Sequence, residues 1–308
     1  MVDNTEIVDW HERLKTIFDT KIKGQWVERL SNSDHDRGDT LEFLIGKKKD
    51  NQSAPDFGDI EVKVSEAKAG SMISLFTKSP ANMKLLRENY GTDALDSAGN
   101  VYKRLNATFG SNDFTNSQMN SYDFKVAVDD VEQKLKVVVR DKNTGDVVSD
   151  GEIFWNFNDL ENLVVKKLSR VAVVDYDLDK ENPNLIRYNS LYLNEGFTFD
   201  KFLDSVRSGE VQVDFRLGMY HTGPSAGKLH DHGTAFRISP AKFLKHGSTV
   251  DAVTMRDAFT PHPQPVRVNL LSDGSGVSGS GYCLGCGRPL RSQKSISRGY
   301  GPQCYINR

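Results

Sequence analysis

Ile7, Trp10, Leu14, Ile17, Phe18, Ile22, Trp26 and Leu30 recur at helical spacing, which predicts one or two amphipathic helices over residues 5–30, with Gly24 as a break. The small polar run SNSDHDRGD reads as a loop, and TLEFLIGKKK as a short helix with Thr40 as its N-cap. The pattern then changes. Ile60, Val62 and Val64 alternate with Glu61, Lys63 and Ser65, the period of a strand, after punctuation by Pro55 and Gly58. SMISLFTKSP predicts a second strand, and residues 82–98 a helix running into a loop. SYDFKVAVDDVEQKLKVVVRDKNTGDVVSDGEIF predicts a hairpin or meander turning at NTGD. NFNDLENLVVKKL is a helix capped by Asn156 or Asn158, and RVAVVDYDLD and NLIRYNSLYLNEG are strands. TFDKFLDSVRSG is a helix closed by Gly209, EVQVDFRLGMYHTG and KLHDHGTAFRIS are strands, and PAKFLKHG is a helix opened by Pro240. Helices and strands alternate irregularly, so the class is α/β or α+β rather than a regular doubly wound sheet. SDGSGVSGSG reads as a flexible linker over 271–281, setting off residues 282–308 as a small separate unit.

Composition narrows this only a little. A chain of 308 residues is one large domain or two ordinary ones. The net charge of −2 neither requires nor excludes a polyanionic partner, because basic residues can gather on one face. No apolar run is long enough for a membrane span and no secretory leader pattern opens the chain, so a cytoplasmic protein with no membrane partner is expected. The three cysteines all follow residue 282, unlike a secreted disulfide framework.

Chemistry gathers first in SAPDFGDIEVKVSEAK. Residues two apart in a strand share a face, so Glu61 and Lys63 point the same way, while Asp56 lies just before the strand. Asp56, Glu61 and the Val62 carbonyl would supply hard oxygen ligands for Mg²⁺, with Lys63 beside a water. From spacing alone the plainer alternative, a solvated Glu/Lys face, is the commoner outcome of so short a motif.

The wider segment DTLEFLIGKKKDNQSAPDFGDIEVK resembles the MvaI/BcnI restriction endonucleases and their MutH relatives, within the PD-(D/E)xK nucleases. The likeness lies in the Thr-Leu-Glu helix, the following Gly, the Pro-Asp-Phe-Gly and the Glu-x-Lys. It implies that Asp56 and Glu61 bind the divalent metal, that Lys63 is catalytic, and that Glu42 belongs to the site. FRLGMYHTGPSAGKLHDHGTAFRIS is similar to the same family's recognition strand. There His232 and Arg237 fall where base-edge contacts are expected, with Asp231 and His230 as lesser candidates. A hairpin whose side chains bond one another is the local alternative. FWNFNDLENLVVKKL is also similar to a helix of this family, and the likeness spans residues 5–250. Lys47–Lys49, Lys78 and Arg216 are candidate phosphate contacts, although charge runs are commonly just solvated; His221 and His246 are taken as structural or surface residues.

The tail YCLGCGRPLRSQKSISRGYGPQCYINR resembles a small Cys-rich domain of phages and bacteria with the pattern CxxCGRxL…S…GxGPxC. Cys-x2-Cys at a Gly turn is a zinc signal, which makes Cys283, Cys286 and Cys304 candidate Zn²⁺ ligands. A fourth ligand is not evident; His262, an earlier His, a non-protein ligand or water would complete the shell, and three free thiols are the alternative.

The expected fold is therefore a PD-(D/E)xK restriction-endonuclease-like mixed sheet in two lobes around a DNA cleft. Residues 1–270 would form the nuclease, catalytic mainly over 1–120 and recognising mainly over 120–270. The expected activity is Mg²⁺-dependent, sequence-specific hydrolysis of double-stranded DNA by a monomer that nicks each strand in turn and leaves 5′-phosphates, with no obligate protein partner. The alternatives are a MutH-like nicking repair enzyme that needs a partner, and a catalytically idle DNA-binding protein.

Overall fold

The computed structural model describes residues 9–254, apart from 32, 34, 48–53, 69, 97–98, 116–120, 221–226 and 232. Asp9 starts helix α1 (Trp10–Ile17), its carboxylate accepting from the amides of His11 and Glu12. A π-helical turn over Phe18–Ile22 continues it. Gly24, at φ 74°, ends the helical run and donates to the Tyr188 carbonyl. Trp26–Glu28 is then strand β1, paired antiparallel with residues 185–187, where the apolar spacing had predicted helix. Three residues on a sheet edge follow their pairing partner rather than their local period.

Helix α2 (Asp36–Leu44) begins before Thr40, not at it. Asp36 is fully buried and forms a fork with Arg29, Nε to Oδ2 at 2.6 Å and NH2 to Oδ1 at 2.8 Å. That charge at the first helical position favours the helix N-terminus. Thr40 instead lies inside the helix, buried, and its hydroxyl accepts from the Leu30 amide.

Next come β2 (Glu61–Glu66), β3 (Ile73–Thr77) and α3 (Met83–Tyr90). Beyond Tyr90, where a loop to residue 98 was expected, lies β4 (Thr92–Leu95), paired antiparallel with β5 (Val101–Phe109), a stretch to which the pattern assigned no element. The strands β6 (Tyr122–Asp129), β7 (Lys134–Asp141) and β8 (Val147–Asn156) form the predicted meander, with Gly145 at φ 79° in its second turn. Helix α4 (Phe157–Leu168), capped at Asn156, leads to β9 (Arg170–Leu178) and β10 (Leu185–Glu195). Helix α5 (Phe199–Arg207) is capped by the Thr198 hydroxyl. Strand β11 (Gln212–Met219) is followed by β12 (Leu229–Asp231) and β13 (Ala235–Ile238), two strands where one was predicted. They part around Gly233, at φ 99°, a backbone state that L side chains rarely adopt. Helix α6 (Pro240–His246) and β14 (Ser248–Val253), an element the pattern did not predict, complete the described chain.

The described residues divide into two compact units, the first lying within Met1–Ala69, Ala172–Leu193 and Asp251–Arg308, the second within Gly70–Val171 and Asn194–Val250. The first is built on a sheet ordered β1-β10-β9-β2, with β14 also on β10. Leu14, Phe18, Leu41, Phe57, Ile60, Val174 and Ile186 belong to its apolar core, and Val62 and Val64 pack against it from β2. The second carries a sheet ordered β3-β13-β11-β5-β4, with β12 on β11, and the meander β6-β7-β8. Its core is aromatic: Phe76 against Phe236 at 5.0 Å, Phe109 against Phe215 at 5.1 Å, and Trp155 edge-on to Phe236 at 5.1 Å.

Candidate active site

The turn ahead of β2 places the acids. Phe57 and Ile60 exchange both backbone hydrogen bonds at 2.9 Å, closing a two-residue turn through Gly58 and Asp59. Gly58 sits at φ 61°, and a Cβ there would lie 2.2 Å from the Trp10 ring. Only glycine fits both demands. Phe57 and Ile60 bury their side chains, and Trp10 meets Phe57 edge-on at 5.4 Å. Asp56 and Glu61 therefore flank an anchored hairpin. Asp56 Oδ2 accepts from the Val62 amide at 2.8 Å, which ties it across the turn.

Two lysines hold these carboxylates. Lys63 Nζ donates to Glu61 Oε1 at 2.8 Å, as expected of residues sharing a strand face. That face is not a solvated one, since Glu61 is only 5% exposed. Lys47 Nζ bridges Asp56 Oδ1 and Glu42 Oε2, the latter at 3.0 Å. Burial, and then the neighbouring Asp56 charge, push the Glu42 carboxyl above the usual carboxylate range. Burial works against the charged form of Lys47, but the hydrogen bonds it donates to Asp56 and Glu42 outweigh it and raise its pKa above that of an ordinary lysine.

Among the described residues no group of three or more His, Cys, Asp or Glu side chains is arranged to hold a metal ion. The donors expected from the sequence are fewer: the Asp56 and Glu61 carboxylates and the Val62 carbonyl, all hard oxygens. Their chemistry fits Mg²⁺, which binds through one or two carboxylates and keeps several waters. Asp56 already presents an oxygen to a cation, the Lys47 ammonium.

A second cluster lies in the other unit, centred on Asp214, which the sequence reading passed over. Asp214 is 1% exposed. Register explains what surrounds it. Thr108 of β5 stands directly opposite and donates its hydroxyl at 2.8 Å. Arg216 is two residues along β11 and forks onto both oxygens, Nε to Oδ2 at 3.2 Å and NH2 to Oδ1 at 3.0 Å. Arg237 sits diagonally on β13, opposite Gln212, and its NH2 lies 3.0 Å from Asp214 Oδ2. One buried carboxylate thus aims two part-exposed guanidinium groups. The detectable signal was Asp-x-Arg in a strand, which puts both side chains on one face.

The remaining candidates are more dispersed. Asp231 is engaged by its own loop, accepting from the Gly233 amide at 2.9 Å and the Thr234 hydroxyl at 3.2 Å. His230 stacks on Tyr220 with ring centres 3.7 Å apart. Lys78 Nζ pairs with Asp159 at 3.2 Å, and its carbonyl accepts from the Trp155 indole. His232, Lys48, Lys49, His262 and the cysteines Cys283, Cys286 and Cys304 lie outside the described residues.

A mixed α/β chain of several sheets, with Asp-x4-Glu-x-Lys at a strand start, has the character of a nuclease. Comparison with known proteins agrees. The model of the MvaI/BcnI restriction endonuclease family matches residues 12–245. The solved structure of restriction endonuclease MvaI in complex with cognate DNA substrate is 36% identical, covering 79% of this chain and 95% of that one, with a TM-score of 0.67. Restriction endonuclease MvaI in the absence of DNA matches with the same identity, over 79% and 97% of the two chains, at a TM-score of 0.51. A family of unknown function (DUF6011) matches residues 276–306. No match was found among curated proteins. The chain belongs to the MvaI/BcnI restriction endonuclease family. It is a sequence-specific DNA endonuclease, a hydrolase. No described helix is long and apolar enough to cross a membrane.

Proposed function

We propose that this enzyme hydrolyses phosphodiesters of double-stranded DNA at a short sequence, with Mg²⁺ held by Asp56, Glu61 and the Val62 carbonyl. The observation that carries the reading is the Phe57–Ile60 turn, which sets Asp56 and Glu61 on either side of one hairpin with Lys63 bonded to Glu61. When bound, the metal would neutralise phosphate charge and favour deprotonation of the attacking water. Lys63, held by Glu61, orients that water. The water oxygen bonds to phosphorus, the P–O3′ bond breaks, and the leaving 3′-oxygen takes a proton, giving a 5′-phosphate and a 3′-hydroxyl. Glu42 and Lys47 set the charge around Asp56.

In this reading the first unit is catalytic and the second recognises sequence. Arg237 and Arg216, steadied by Asp214, carry free donors suited to a guanine edge or to phosphate. His230 and His232 add groove contacts, Lys78 a phosphate contact, and Asp231 shapes the loop that presents them. The enzyme acts as a monomer that nicks one strand and then the other, without a protein partner. The DUF6011-like tail would bind Zn²⁺ through Cys283, Cys286 and Cys304, and metal analysis of the intact protein is expected to find about one zinc per chain.

The test is digestion of a random-sequence plasmid library by the purified chain with Mg²⁺, followed by sequencing of the cut ends. Double-strand cuts at one defined sequence, preceded by nicked circles, are the expected result. No cutting until a partner protein is added would instead mark a repair nickase. Glu61→Gln is expected to abolish cleavage while leaving DNA binding measurable.

A further inference from the structure

Lys47 stands out because the fold presents it to Glu42 twice. Helix α2 ends in a Schellman motif: the Lys47 amide donates to the Glu42 carbonyl at 2.9 Å, and the Gly46 amide to the Phe43 carbonyl at 3.0 Å. Gly46, at φ 88°, supplies the left-handed residue this motif needs. The helix end therefore fixes the Lys47 backbone one turn from the Glu42 backbone. The ammonium closes the loop by bridging the Glu42 and Asp56 side chains. All three side chains are largely covered, at 17% exposure for Lys47, 28% for Glu42 and 11% for Asp56.

Two carboxylates held this close and this dry repel each other unless a cation lies between them. In the protein alone that cation is Lys47. The Asp56 oxygen it holds belongs to the same carboxylate that the proposed function assigns to Mg²⁺. A lysine ammonium is a compact point charge on a flexible four-carbon stem, so it can leave without moving the backbone.

We propose that Lys47 is a resident placeholder cation: it keeps Glu42 and Asp56 together in the metal-free enzyme and competes with the divalent ion for Asp56. The inference rests on the proposed role of Asp56 as a metal ligand. Lys47 acts through those two carboxylates and is a positioning residue. The divalent-ion affinity of the site is then set partly by this lysine and not by the ligands alone.

The test is calorimetric titration of Ca²⁺ into the full chain without DNA, paired with thermal unfolding. Lys47→Met keeps an unbranched side chain, one atom shorter, and removes the charge. Its metal-free protein is expected to unfold at a lower temperature, while Ca²⁺ binds roughly tenfold more tightly, as for removal of one competing charge from a partly screened site. Lys47→Arg, which restores the cation, is expected to return affinity towards the wild-type value. Unchanged or weaker Ca²⁺ binding in Lys47→Met overturns the proposal, because a purely structural lysine would not improve binding on removal. Should Lys47→Met not fold, Lys47→Gln, which keeps a donor without the charge, gives the same readout. Asp56→Asn separates the two ideas. If it leaves Ca²⁺ binding intact, the reading of the metal site itself fails. If it removes binding while Lys47→Met changes nothing, only the placeholder role fails.

Discussion

Two clusters in this enzyme are organised around carboxylates, and they are opposites. In the first unit three acids, Glu42, Asp56 and Glu61, are held by two lysines. In the second, one acid, Asp214, is shared by two arginines. Among these pairs the first has more acids than lysines, the second more arginines than acids. The choice of cation fits each task. Lysine is a movable point charge, which would suit the proposed site, where internal partners are exchanged for a metal and a phosphate. Arginine is a planar fork, and one bound to a buried acceptor is aimed while its other donors stay free. On the proposed assignment, a catalytic site and a reading site would be built from the same ion-pair chemistry by inverting its stoichiometry.

That contrast breaks most visibly at Lys63. Lys63→Ala is expected to lower the single-turnover cleavage rate by about 10²–10⁴-fold with little change in DNA affinity; near-wild-type cleavage would remove the catalytic half of the contrast. Glycine substitutions come next. Gly58→Ala forces a Cβ to within 2.2 Å of the Trp10 ring at φ 61°, and is expected to cost at least about 1–3 kcal/mol in urea unfolding as well as activity. Gly233→Ala, where the new Cβ would lie 3.2 Å from a Thr77 methyl, is expected to cost less. Equal costs would mean that the turn beneath the acids is no more constrained than the loop at Gly233.

Asp214→Ala tests the other half. Removing the shared acceptor is expected to cost about 1–3 kcal/mol of stability and to raise cleavage at near-cognate sites relative to the cognate one. Stability loss with specificity intact would reduce Asp214 to a core residue. The smallest effect concerns an ordinary surface pair in the second unit. The His246 hydrogen bond holds the Glu210 carboxyl below the usual range. A lowered carboxylate pKa contributes stability above the unfolded value of about 4.3, and that contribution is lost as pH falls through the folded value. Glu210→Gln is expected to flatten the acid side of the stability curve slightly and to leave cleavage specificity alone.

Legibility in the sequence followed the range of the interactions. The meander β6-β7-β8, the helices α4, α5 and α6 and the acid-bearing strand β2 were readable because each rests on contacts between near neighbours. Asp56, Glu61 and Lys63 were readable for the same reason: one short turn and one strand face carry all three. Where the reading failed, a distant partner intervened. Trp26–Glu28 kept a helical period but found a strand partner at residues 185–187. Thr40 looked like a cap, but the buried Arg29–Asp36 fork starts the helix a turn earlier. VYKRLNATF carries two adjacent charges, Lys103 and Arg104, that blur its alternation, and pairing with β4 and β11 makes it a strand.

The chain by itself determined the turn chemistry and the side-chain alternation that align Asp56, Glu61 and Lys63, because glycines at left-handed positions and two-residue periodicity act over a few bonds. Only the tertiary structure decided that Asp214 would be buried under Thr108 and steer both Arg216 and Arg237. Thr108 and Asp214 are 106 positions apart, and cross-strand register between distant segments is fixed by how the whole sheet buries its apolar face, which no local pattern encodes.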